Sequence, residues 1–72
     1  MTYEEFVDNI WKNVELCPKN WRKGQCVFNI IDELYGVARQ VQFEDRIDCF
    51  YIDNNIDNFI KASWKRIKNY VN

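Results

Sequence analysis

The side chains that could bind a small anion cluster around the start of the second predicted helix. They are two cations and two amides: Arg22, Lys23, Gln25 and Asn29. The first turn of a helix has unpaired backbone N–H groups and partial positive charge, so these donors could hold a phosphate or a carboxylate there. Trp21 and Tyr51 could stack on the base of a nucleotide. The alternative interpretation is an ordinary solvated helix face.

A second candidate site is the acidic and aromatic segment formed by residues 44–57, which has five carboxylates and one cation. Its candidate contact residues are Asp48, Phe50, Tyr51 and Asp53. Because the run from Phe50 to Ile52 keeps no helical period, we expect an ordered connection that is pinned by buried rings. Its carboxylates could occupy a basic site on a partner protein.

Catalytic residue types are scarce. The chain has no histidine and only two glycines, which excludes Ser-His-Asp triads, imidazole zinc sites and glycine-rich phosphate loops. The odd number of cysteines, Cys17, Cys26 and Cys49, indicates reduced thiols rather than a disulfide framework. We therefore expect a protein that is not an enzyme and has no cofactor and no metal site.

The charge balance and the hydropathy limit the partners. Ten cations against eleven carboxylates give a net charge of −1, which argues against nucleic acid as a partner. No apolar run approaches the roughly 20 residues of a membrane span, and no signal-like leader begins the chain. We therefore expect no membrane contact and a cytoplasmic location.

Hydrophobic periodicity predicts an all-α protein with a single helical domain, residues 1–72. The first helix should span residues 3–16 and begin with a capping box between Thr2 and Glu5. Pro18 disfavours a helical conformation at the residue before it, which sets the end of this helix.

The second helix should begin at Asn20 as its N-cap, with Trp21 in the first turn. Gly24 lies beside its core, where another backbone could approach closely. We expect Gly36 to end or kink this helix before one or two further turns. The predicted core arc consists of Val27, Ile30, Ile31 and Leu34.

The last helix has the clearest apolar stripe, which runs from Ile56 to Val71 after a cap at Asn54 or Asn55. Its other face is basic, with Lys61, Lys65, Arg66 and Lys68. Three main helices and a short fourth should pack as a compact bundle. Wide apolar stripes flanked by Trp11 and Trp64 favour self-association as a homo-oligomer.

The sequence RKGQCVFN at residues 22–29, DCFYID at 48–53, and Ile56 with Phe59 resembles a family of small bacteriophage and prophage proteins. Its members carry R-x-G-Q-x-x-F-N, then D-P-F-Y-x-D and I-x-x-F. Cys49 stands where the family usually has proline, and the Gly-Thr pair before the first aspartate is absent. The resemblance implies a mobile-element origin and a compact helical fold but no activity.

Two functions follow as hypotheses. In the first, an oligomer sequesters an anionic small molecule, such as a nucleotide signal of host defence, at the start of the second helix. This hypothesis predicts that Arg22→Ala or Gln25→Ala abolishes binding. In the second, the chain inhibits a host protein through segment 44–57, and neutralising Asp48 and Asp53 abolishes binding.

Overall fold

The computed structural model describes the backbone of residues 1–71 and the side chains of residues 1–68. In this part the chain forms four α-helices and one 3-10 turn. They are α1 (Tyr3–Val14), α2 (Lys23–Tyr35), α3 (Ala38–Phe43), the 3-10 turn Asp53–Asn55 and α4 (Ile56–Val71). The all-α prediction, with three longer helices and a short one, is confirmed.

The predicted capping box opens α1. The Glu5 amide donates to Thr2 Oγ1 at 3.1 Å, and the Thr2 amide donates to Glu5 Oε1 at 2.7 Å. The helix ends at Val14, two residues before the predicted end. Leu16 is 81% exposed, so a further helical turn would bury little apolar surface before Pro18 stops it.

The predicted start of α2 is wrong. Arg22, with φ −71° and ψ 155°, is the N-cap, and the backbone N–H of Trp21 donates to the carbonyl of Pro18 in the preceding turn. Asn20 and Trp21 therefore lie outside the helix. Gly36 ends α2 in the left-handed conformation, with φ 70°, and its N–H donates to the carbonyls of Ile31 and Asp32.

Residues of all four helices meet in one core. Its fully buried members include Phe6, Ile10, Val27, Ile31, Val41, Phe59 and Ile60. Leu34, which the sequence predicts in the core, is 49% exposed, whereas Cys26 on the same helix is buried. On α4, Ile56, Ser63 and Ile67 are also buried, as the stripe predicts. The side chain of Val71 lies outside the described residues.

The connection from α3 to α4 departs from the prediction of buried rings. Phe50 is half-buried, but Tyr51 and Ile52 are 71% and 49% exposed, and Cys49 is the fully buried anchor. The two predicted caps of α4, Asn54 and Asn55, lie in the 3-10 turn directly before this helix. The side chain of Asn55 bonds to the connection that precedes the turn. Its side-chain amide donates to the carbonyl of Asp48 at 2.8 Å, and the 3-10 turn leads directly into the helix.

Candidate functional site

The first turn of α2 is joined to the loop of residues 48–53. The Arg22 guanidinium donates to the carbonyl of Phe50, and its Nε lies 3.9 Å from Asp53 Oδ1. The same guanidinium lies 5.7 Å from the centre of the Tyr51 ring. The structure thus brings together Arg22 and Tyr51, two of the predicted ligand-binding residues, but it pairs them with each other.

Gly24 is the point of closest approach in this junction. Its N–H donates to Asp53 Oδ1 at 3.1 Å, and the Cys49 thiol donates to its carbonyl at 3.4 Å. A Cβ atom at residue 24 would overlap the Cys49 carbonyl oxygen and lie 2.7 Å from Asp53 Oδ1. The predicted close approach of another backbone at Gly24 is therefore confirmed. We call Arg22, Gly24, Cys49 and Asp53 the junction.

A carboxylate of the chain itself occupies the start of α2. The position that an external phosphate or carboxylate would take beside the Gly24 N–H is held by Asp53. Lys23 is exposed, and Gln25 and Asn29 are half-buried. Through their side chains these three make no hydrogen bond or ion pair within residues 1–68. Trp21 is 37% exposed and lies before the helix.

Asp48 fixes the shape of the loop. Its Oδ1 accepts from the Phe50 amide at 3.2 Å and from Gln42 Nε2 at 2.7 Å, and its Oδ2 accepts from the Tyr51 amide at 3.1 Å. This is an Asx-type turn, a common role for aspartate at the start of a loop. The carboxylates of Asp48 and Asp53 both bond within the chain, so neither is a free acidic group on the surface.

Two other acidic residues of the segment, Glu44 and Asp45, are paired with a cation of α4. Arg66 of α4 makes a bidentate contact with Asp45, with Nε to Oδ2 at 3.0 Å and Nη2 to Oδ1 at 2.9 Å, and its Nη1 lies 3.2 Å from Glu44. Hydrogen bonding to Arg66 lowers the pKa of Asp45. The acidic segment and the basic helix, which are adjacent in the sequence, therefore partly neutralise each other.

An aromatic groove of about 300 Å³ lies beside the loop. It is lined by Phe28, Arg39, Gln42, Phe43, Phe50 and Tyr51. The Phe50 ring packs edge-on against Phe28 at 5.5 Å and against Tyr51 at 4.7 Å between centroids. Phe43 is 73% exposed.

Sequence reasoning missed Arg39, Gln42 and Phe43 as residues of this site. They lie on α3, a helix of six residues, which is too short for hydrophobic periodicity to distinguish its faces. The one available signal was Phe43, an aromatic residue between the polar residues Gln42 and Glu44.

The three thiols are free, as expected. Burial raises the pKa of Cys49 to about 12, and burial together with a contact to Cys17 raises the pKa of Cys26 to about 12. Neither thiol is therefore a nucleophile near neutral pH.

Within residues 1–71 none of the helices combines the length and the apolar character that crossing a membrane requires. Comparisons with protein-family models, with curated proteins and with solved structures give no match to this chain.

Proposed function

We propose that this chain is a non-enzymatic binding module that contacts a partner protein through the surface formed by α3 and loop 48–53. One observation carries the proposal. Phe43 and Tyr51 line the same groove, yet they are 73% and 71% exposed. Adjacent exposed aromatic side chains are costly in water and are typical of interaction surfaces.

The junction and the Asx turn give this surface a fixed shape. The Phe50 carbonyl and the amides of Phe50 and Tyr51 are hydrogen-bonded by Arg22 and Asp48. Preorganisation reduces the entropy lost on binding. In this proposal Asp48 and Asp53 position the rings and do not contact the partner. Neutralising them would still weaken binding, as the interaction hypothesis expects, but through loss of the loop conformation.

Sequestration of an anionic small molecule stays a second prediction. Lys23, Gln25 and Asn29 support it, because their side-chain polar groups are not engaged within the described chain. Asp53 at the first turn of α2 makes it the less favoured function, since an incoming anion would have to displace this carboxylate or bind beside it.

We further propose that the chain acts in the cytoplasm, in a host cell if its origin is a bacteriophage as the resemblance implies. Its three free thiols support a reducing compartment. Self-association belongs to the same proposal. The α1 residues Tyr3, Val7 and Trp11 line a second groove of about 320 Å³, which a second copy of the chain could cover.

The test combines capture with reconstitution. The chain would carry a photo-crosslinking amino acid at residue 52, next to Tyr51, in cells of the organism that encodes it. We expect one protein to crosslink and then to bind the purified wild type. Phe43→Ser and Tyr51→Ser should each weaken that binding at least tenfold.

Leu16→Ser is the matched control, because it removes an apolar side chain that is 81% exposed on another part of the molecule. It should leave binding unchanged. Circular dichroism melts establish that all three variants fold. Equal binding by the Phe43 and Tyr51 variants would refute the proposal.

A further inference from the structure

We infer that the groove binds a short linear segment of the partner in which a large apolar side chain lies within three positions of a carboxylate. The inference rests on the proposed function and specifies the chemistry of the partner. It depends on the size of the groove, on its rings and on the charge at its edge.

The size and lining favour one or two apolar side chains. At about 300 Å³ the groove lies at the lower end of the range of ligand pockets. Phe28, which is 8% exposed, and the half-buried Phe50 provide its inner surface, and the more exposed Phe43 and Tyr51 flank it. Aromatic rings on several sides suit an aromatic or branched aliphatic side chain in edge-to-face or stacked contact.

The uncompensated charge at the groove is positive. Arg39 is exposed and makes no ion pair within the described residues, whereas Asp48 is already bonded to Gln42 and to two backbone amides. A free guanidinium beside apolar rings is suited to a carboxylate, which it can bind through two parallel hydrogen bonds.

Gln42 offers a hydrogen-bond acceptor to the backbone of a bound peptide. Its Nε2 donates to Asp48, which leaves its side-chain carbonyl without a donor in the described chain. That oxygen can accept an N–H from the backbone of an extended peptide. A nucleic acid is the less suitable ligand, because one arginine on a chain of net charge −1 gives little phosphate affinity.

The experiment selects a displayed library of random linear 12-residue peptides against the full wild-type chain and against Arg39→Glu. We expect the wild type to enrich an aromatic or aliphatic residue with Asp or Glu within three positions. A synthetic peptide of this type should bind Arg39→Glu at least tenfold more weakly in fluorescence anisotropy. Changing its acid to the amide should remove most of that difference. Arg39→Glu itself should enrich Lys or Arg instead.

Lys61→Glu is the matched control, because it makes the same change of charge sign at an exposed residue of α4 outside the groove. It should bind the acidic peptide within twofold of the wild type. Thermal melts verify that both glutamate variants fold.

Two results would overturn the inference: no enriched peptide, or enriched peptides whose binding is the same in wild type and Arg39→Glu. Competition by a single-stranded oligothymidine at equal or higher affinity would also overturn it in favour of nucleic acid. These outcomes are separable from failure of the proposed function. A partner whose binding depends on Phe43 and Tyr51 but not on Arg39 overturns the peptide chemistry alone.

Discussion

Gly24 has no side chain at the place where α2 passes the carbonyl of Cys49. The backbone of residue 24 needs no unusual φ, so the reason for glycine is space. Gly36 is the opposite case, since it has φ 70° and no atom beyond its two chain neighbours lies within 4 Å of an added Cβ. Residue 24 is therefore glycine because of close packing, and residue 36 is glycine because of its backbone conformation.

Gly24→Ala should lower the free energy of unfolding by about 3 kcal/mol, because the new methyl group forces apart two backbone segments. Gly36→Ala should cost only about 1 kcal/mol, the strain of a left-handed residue. Urea denaturation followed by circular dichroism measures both. An alanine at residue 24 that cost no more than one at residue 36 would contradict the close approach.

The buried thiols allow a second test at single residues. Because burial raises the pKa values of Cys26 and Cys49 to about 12, both thiols stay protonated at pH 8. We expect a disulfide reagent to modify the half-buried Cys17 first and the other two thiols only when the chain opens. Mass spectrometry over time counts the modified sites, and simultaneous modification of all three in folded protein would be inconsistent with the burial described.

Arg22 connects α2 to the loop. The side chain of its neighbour Lys23 makes no hydrogen bond or ion pair within residues 1–68. Arg22→Ala should therefore cost about 1–2 kcal/mol of stability and accelerate hydrogen exchange at Tyr51 and Ile52. Lys23→Ala should change neither. If the two alanine variants behave alike, Arg22 does not hold the loop.

The pairing of Asp45 with Arg66 joins the segment after α3 to α4 and predicts a dependence of stability on pH. The hydrogen bonds from Arg66 hold the folded pKa of Asp45 below the ordinary value of an aspartate. The contribution of this pair is therefore complete above about pH 4 and is lost as the pH falls through the lower, folded pKa. Because both side chains are partly exposed, the effect should be at most about 1 kcal/mol.

Asp45→Asn tests this prediction by comparing unfolding free energies at several pH values between 2 and 7. The difference from wild type should be greatest near neutral pH and shrink below pH 4. Glu33→Gln, at an exposed residue of α2, is the control and should show no such trend. A difference in unfolding free energy that grew as the pH fell would contradict the predicted direction of this pH dependence.

Elements with a repeated pattern could be predicted, and those set by distant partners could not. The capping box of α1 and the stripe of α4 are local signals that a sequence displays. The start of α2 is set by Asp53, 29 residues from Gly24 along the chain, so the nearest suitable residue, Asn20, was the wrong cap. The partners of Arg22, Phe50 and Asp53, are similarly distant along the chain, so the sequence shows this cation without its contacts.

The aromatic segment shows a similar limit for the candidate site. Its apolar run indicated packing, but Cys49 alone is fully buried while Tyr51 faces solvent. Which side chains of a short irregular loop are buried and which are exposed depends on the hydrogen bonds of the loop, here those of Asp48. These bonds become apparent only when the loop is seen folded.

A chain of 72 residues has a small core, and this one leaves several large apolar side chains exposed, among them Leu16, Leu34, Phe43 and Tyr51. Small domains commonly gain stability by association. We expect the unfolding midpoint to rise between about 5 and about 500 µM protein. Val7→Lys, in the groove on α1, should remove that dependence, and Leu16→Lys should keep it. Sedimentation that showed only a monomer across this range would exclude self-association.

The junction joins Arg22 and the backbone of Gly24 on α2 to the carbonyls of Phe50 and Cys49, the Cys49 thiol and the Asp53 carboxylate on the loop. Arg39 and Phe43, which line the groove, make no hydrogen bond or ion pair with the junction in the described chain. Residues 39 and 43 can therefore be randomised while the helices and the loop keep their geometry. The chain offers a compact, disulfide-free scaffold from which binders with new specificities can be selected for use inside cells.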